Sequence, residues 1–270
     1  MSKIEWTNKT WNPITGCTKH SEGCQNCYAE KMHNRLTAMG QEKYKKPFLD
    51  VVFHQEELKR TFGKKSCMIF VNSMSDTFHK KIDDLEIAQI LDVCFVNKKH
   101  IFQILTKRAE RIPEFVYPEN VWLGVTVEMA KYKSRIEYLK QTNAKIKFLS
   151  CEPLLGDLGE LDLRGIDWVI AGGESGRNAR PCNPDWVRNI QKQCQEQGVP
   201  FFFKQWGEFQ PYYTIEKNSS VGMSEIKNPL PELHFKRVGK ANSGSLLDGK
   251  EYKEFPKLKE SDREDEECLN

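Results

Sequence analysis

The sequence has no apolar stretch approaching the roughly 20 residues that a membrane-spanning helix needs, and its mean hydropathy is −0.64. Its opening, Met1-Ser2-Lys3-Ile4-Glu5-Trp6, lacks the apolar run of a secretion signal. Both absences lead us to expect no membrane association and a cytoplasmic setting, where thiols stay reduced. Strong net charge is missing too: 41 Lys and Arg against 38 Asp and Glu leave +3, too little to identify a nucleic-acid partner. A complete disulfide framework is excluded by an odd count of nine cysteines. No internal repeat is visible beyond an alternation of apolar runs and helix-like stretches.

The charge that is present is unevenly placed. Residues 251–270 hold eight acids and four bases, so the remainder carries +7. A mildly basic body with an acidic tail suits a polyanionic substrate and equally an ordinary soluble enzyme. At 270 residues the chain can bury a large core without disulfide staples. We expect three parts: an α/β domain over 1–207, an irregular connection with a small β appendage over 208–258, and a disordered acidic tail over 259–270.

Between about residues 66 and 206 one pattern recurs, a short Val-, Ile- and Phe-rich run ending in polar residues and followed by a helix-like stretch. The runs begin at Met68, Ile101, Val121, Ile146, Trp168 and Phe201, and a further strand is expected over Thr10 to Thr15. Asp83 or Asp84 is placed to cap one helix, and Asn183-Pro184-Asp185 to open another. Such alternation predicts six to seven parallel strands closing a full or partial (β/α) barrel, with a doubly wound open sheet as the rival. Either architecture places chemistry at the C-terminal strand ends. There the polar residues collect: Asn72, Ser73, Asp76; Thr106, Lys107, Arg108; Thr126, Glu128; Ser150, Glu152; Glu174, Ser175; Lys204, Gln205.

Of the nine cysteines only Cys17, Cys24 and Cys27 cluster. Gly16 and Gly23 flank a loop free to fold back, and the two-residue gap between Cys24 and Cys27 lets both thiolates reach one metal centre. A helix-like stretch from Tyr28 to Met39 follows, its N–H groups directed at the site. Three thiolates without an obvious fourth suit an iron–sulfur cluster with one iron open to a small molecule. A zinc site completed by His20 as a Cys₃His set, and simple free thiols, are the alternatives. Read as zinc, the chain would be a metal-stabilised nucleic-acid-binding protein.

With this loop heading a strand–helix series, the chain resembles the radical S-adenosylmethionine (SAM) enzymes. More closely, it is similar to a phage and bacterial family of radical-SAM-like proteins with a three-cysteine motif. The matching segments are Trp11-Asn12-Pro13-Ile14-Thr15-Gly16-Cys17, Cys24-Gln25-Asn26-Cys27-Tyr28-Ala29, Leu105-Thr106-Lys107-Arg108 and Glu152-Pro153-Leu154-Leu155-Gly156. Gly172-Gly173-Glu174-Ser175-Gly176, Phe203-Lys204-Gln205-Trp206-Gly207 and Leu247-Asp248-Gly249 also match. Two departures stand out: six residues separate the first two cysteines instead of three, and Gly172-Gly173-Glu174 falls on a late strand.

The resemblance implies a [4Fe-4S] cluster on Cys17, Cys24 and Cys27, with SAM cleaved reductively to start radical chemistry on a nucleic acid, nucleotide or other substrate. It implies a reductant protein, a separately encoded partner, and a bacterial or phage-infected cell. Tyr28, Gly172, Gly173, Glu174, Ser175 and Gln205 become candidates for holding the cofactor. Lys107 and Arg108 suit phosphate or carboxylate groups, and Glu152 suits ribose or amino groups. Cys151 is a candidate hydrogen donor, against the plainer reading of a packed strand-end thiol.

Overall fold

The computed structural model describes residues 4–214 and 232–257. The expected acidic tail, and the stretch holding Pro229 and Pro231, lie outside the described residues. In chain order the first strands are β1 (Lys9–Trp11), β2 (Ile14–Thr15), β3 (Val52–Phe53), β4 (Met68–Val71) and β5 (Ile101–Thr106). Next come β6 (Val121–Thr126), β7 (Ile146–Cys151), β8 (Trp168–Ala171) and β9 (Phe201–Phe203). The remaining short strands are β10 (Phe209–Thr214), β11 (Glu232–Arg237), β12 (Leu246–Leu247) and β13 (Lys250–Glu251). The helices are α1 (Tyr28–Ala38), α2 (Asp84–Val96), α3 (Ser134–Lys140) and α4 (Pro184–Glu196).

Seven strands form one parallel sheet in the order β1-β4-β5-β6-β7-β8-β9. Each lies beside its predecessor, so the strand order never reverses as it does in a doubly wound sheet. The sheet curls into a half-barrel with β1 and β9 as its edges. The expected strand over Thr10 to Thr15 is divided instead. Pro13 has no N–H to extend a ladder, so the chain leaves the main sheet after Trp11, and Ile14–Thr15 pairs antiparallel with Val52–Phe53.

Local chemistry sets the helix starts. Asp83 Oδ1 accepts from the Glu86 N–H at 2.8 Å and Glu86 Oε2 accepts from the Asp83 N–H at 3.0 Å, a reciprocal cap for α2. Asn183 Oδ1 accepts from the Asp185 N–H at 2.9 Å, with Pro184 opening α4. No described helix is long and apolar enough to cross a membrane.

Helices α2, α3 and α4 cover one face of the sheet, where Ile87, Leu91, Ile136, Leu139, Val187 and Ile190 pack with Ile69, Ile104, Val125, Leu149 and Val169. The other, inner face carries Met68, Phe70, Trp122, Phe148, Trp168, Ile170 and Phe202. Trp6 closes it from one side, 4.8 Å from the Phe70 ring, and Phe255 from the other, 5.0 Å from the Trp168 ring. Each such aromatic pair adds about 0.5–1.5 kcal/mol beyond its burial. The lower inner face is therefore filled by aromatic side chains.

After β9 the chain forms the β10–β11 pair, so Phe209–Thr214, expected to be irregular, is a strand. Asp248 and Gly249, with φ of 51° and 78°, make the expected turn between β12 and β13. Residues 252–254 then return to β9, where the Phe203 N–H donates to Tyr252 O at 2.8 Å and Trp168 Nε1 donates to Glu254 O at 2.8 Å.

Candidate metal centre and strand-end site

Register decides which strand-end side chains meet. Thr126, Ser150, Ile170 and Phe202 lie in one row across β6 to β9. Side chains alternate faces along a strand, so two residues further on the inner face continues with Glu152, Gly172 and Lys204. The Lys204 ammonium lies 3.0 Å from Glu152 Oε1, and Ser150 Oγ is 3.4 Å from Glu152 Oε2. A Cβ on Gly172 would stand 2.7 Å from Glu152 Oε1. Gly172 thus makes room for an ion pair laid across it. On β5's extension Lys107 Nζ donates to Thr126 Oγ1 at 3.2 Å.

Gly173 answers to a different contact. A Cβ there would meet the Trp206 carbonyl oxygen at 1.9 Å, because the chains leaving β8 and β9 cross backbone to backbone. Gln205 is buried at this crossing; its Nε2 donates to Gly173 O at 3.3 Å, and its Oε1 has no partner. Ser175 is half-buried in the loop beyond. Trp206 packs on Phe203 and donates to Leu246 O at 3.1 Å, closing the floor on the helix side.

The cysteine loop lies over these strand ends. Gly16, with φ of 81°, lets the chain turn hard against the Asp50 and Phe48 carbonyls, and Cys17 N–H donates to Phe48 O at 2.8 Å. Cys24 ends the single turn Glu22–Cys24, and Cys27 caps the N-terminus of α1. All three thiols are free and half-buried. Burial pushes the Cys17 pKa up to about 12; Asp76, Cys24 and Cys27 push the same way and Arg108 opposes. Among the described residues, no three His, Cys, Asp or Glu side chains close around the position of a single ion. His20 is exposed, its pKa lowered by burial of its ring and by Arg108 and Arg135.

Ion pairs and hydrogen bonds from four strand ends strap the loop down. Beyond β5, Arg108 Nη2 donates to Thr18 O at 2.9 Å, while Nη1 lies 3.0 Å from Asp76 Oδ2 and 3.8 Å from Cys17 Sγ. His79 Nε2 pairs with Thr18 Oγ1 at 2.8 Å; burial, and then Arg108, lower the His79 pKa to about 4. Beyond β6, Glu128 accepts from Ser21 Oγ and pairs with Arg135 at 2.8 Å. Lys131 and Tyr132 hold Glu22. Beyond β8, Glu174 accepts from Asn26 at 3.1 Å and pairs with Arg180 at 2.6 Å, while Arg180 Nη2 also donates to Glu22 O at 3.0 Å. Burial works to raise the Glu174 pKa, but the bonds from Arg180 and Asn26 outweigh it and hold it low.

The structure thus fastens the loop of Cys17, Cys24 and Cys27 through Arg108 and Glu174, and places Lys107, Glu152 and Lys204 on the inner rim. Tyr28 is about half exposed (53 %), with its hydroxyl donating to Ser73 O at 2.5 Å. Cys151 is not brought to the rim. It is fully buried in the helix-side core, and burial raises its pKa well above the ordinary thiol value. Sequence reasoning passed over Thr18, His79, Arg135 and Arg180. None sits in a recognisable motif, and the one available signal was that acids at so many strand ends need cations.

Residues 1–256 match a family described as Protein of unknown function (DUF5131). The chain belongs to the DUF5131 family. No curated protein and no solved structure matches it. The DUF5131 match runs through the cysteine loop, the half-barrel and the returning segment against β9, so loop and sheet belong to one family unit.

Proposed function

We propose that this chain is an iron–sulfur enzyme that cleaves SAM reductively and acts on a substrate held at the inner rim of the half-barrel. The observation that carries the reading is the position of the three thiols. They sit on one loop strapped over the strand ends, with the N-terminus of α1 behind Cys27 and the Arg108 guanidinium 3.8 Å from Cys17. The donor chemistry fits a cluster. Three thiolates would bring concentrated negative charge, and a helix N-terminus and a buried guanidinium are the groups that offset it. Cys17, Cys24 and Cys27 would hold the metal, and a reduced cluster bound there supplies the single electron that SAM cleavage requires.

The remaining residues have work of their own in this reading. Arg108, Glu128 and Glu174 hold the loop in one shape over the rim. Lys107, Glu152 and Lys204 face the space beneath it and orient the substrate, while the aromatic inner core excludes water from below. An electron-donating protein is required, and a separately encoded partner remains part of the proposal.

Anaerobic reconstitution with iron and sulfide, then addition of SAM and a strong reductant, tests the proposal. The expected result is about four irons per chain with the absorbance of a [4Fe-4S] cluster, and formation of 5′-deoxyadenosine. Protein that takes up one zinc and no iron, or a formed cluster that leaves SAM intact, would overturn it.

A further inference from the structure

On the inner face one cation, Lys107, differs from its neighbours in its partners. Asp76, Glu128, Glu152 and Glu174 each already have a cation of their own, Arg108, Arg135, Lys204 and Arg180 respectively. Glu22, in the loop above, has Lys131. Lys107 stands on the inner face among them with no carboxylate in ion-pair range among the described residues. The residue is half-buried, and its ammonium donates to one neutral oxygen, Thr126 Oγ1, at 3.2 Å. An ammonium carries three donors, so two remain for something else. Holding a half-buried cation without a counter-charge costs free energy that an incoming anion would recover.

From this we infer that Lys107 is the anion subsite of the inner rim, and that the substrate is a phosphate ester with a polar body. Lys binds phosphate as a point charge, with no planar fork to fix the anion's orientation. The body of the ligand then lies toward β7 and β9, where the Glu152–Lys204 pair over Gly172 offers an acceptor and a donor to hydroxyl or amino groups. A nucleoside or sugar phosphate has this pattern. Thr126 is a positioning residue, since it is buried and acts by aiming the ammonium. The inference rests on the proposed function only in giving the rim to the substrate; the anion site itself needs no metal.

The test is therefore made on the full chain without iron, sulfide or SAM. Calorimetric titration with nucleoside 5′-monophosphates should show saturable binding that inorganic phosphate competes away, with the parent nucleosides at least tenfold weaker. Lys107→Met should weaken monophosphate binding at least tenfold, Lys107→Arg should restore part of it, and Thr126→Val should weaken it several-fold. Thermal unfolding confirms that each variant is folded, and Thr126→Val carries the test if Lys107→Met is not. Equal affinity for nucleoside and monophosphate would overturn the inference, as would unchanged binding in Lys107→Met. Because no cluster is involved, these outcomes are separate from failure of SAM cleavage.

Discussion

Replacing Arg108 with Met tests whether one guanidinium fastens the cysteine loop to the sheet. Arg108 is 9 % exposed and Asp76 6 % exposed, and their contact is 3.0 Å. Met preserves much of the side-chain volume but leaves the Asp76 carboxylate buried, held only by Thr106 Oγ1 at 2.7 Å and the N–H groups of Phe78 and Lys107. Breaking a buried pair from one side costs about 3–5 kcal/mol, and a loss of 1 kcal/mol lowers the melting temperature of a domain this large by about 2–4 °C. The expected fall is about 6–20 °C in thermal unfolding monitored by circular dichroism.

Asp76→Asn on the Arg108→Met background should recover part of the loss, because the stranded charge is gone. The double-mutant cycle should return a coupling of about 2 kcal/mol or more. A single-variant loss under about 1 kcal/mol, or simple additivity of the two changes, would refute the reasoning. A second readout separates fastening from electrostatics. In reconstituted protein, losing the donor beside Cys17 should shift the cluster midpoint potential negative, since charge and hydrogen bonds at the sulfurs set that potential.

Three further outcomes follow from the geometry. Serine at Cys17, Cys24 or Cys27 should abolish iron retention after anaerobic reconstitution, whereas serine at Cys182 or Cys194, both buried in the helix-side core, should leave iron content unchanged. For His79, with its folded pKa near 4 against an ordinary 6.5, the unfolded chain binds more protons between those values. Its share of stability is therefore full above about pH 6.5 and is lost as pH falls toward 4, and His79→Gln should flatten that limb in unfolding midpoints measured from pH 4 to 7. Gly173→Ala should be far more damaging than Gly172→Ala. The first drives a methyl into the Trp206 backbone at 1.9 Å, while the second meets the Glu152 side chain, which can swing aside; relative soluble yield and melting temperature check the order.

The strand–helix rhythm was open to sequence reasoning because it depends on local rules. Runs such as Val121–Thr126, buried on both faces, need the apolar composition that identifies them, and the caps at Asp83 and Asn183 work within three residues. The clustering of Cys17, Cys24 and Cys27 was visible for the same reason, since a short spacing within one loop is written directly in the chain. Where the reading of Thr10 to Thr15 as one strand failed, a single residue, Pro13, explains it.

The partners of the rim residues are set by contacts across the fold. Lys107 and Arg108 are adjacent in sequence, yet one faces Thr126 on the inner rim and the other reaches Asp76 and Thr18 in the loop. Alternation of side chains puts neighbours on opposite faces, and no local pattern says which face meets a partner 30 or 90 residues away. Gly172 and Gly173 look alike as sequence, but one accommodates an ion pair and the other a backbone crossing. By itself, the sequence determined the elements and the spacing of the cysteine trio, because those depend on short-range backbone and side-chain chemistry. Only the tertiary structure decided which acid each cation neutralises, and so which charge is left to meet a ligand, because that depends on strand register and loop packing between distant segments.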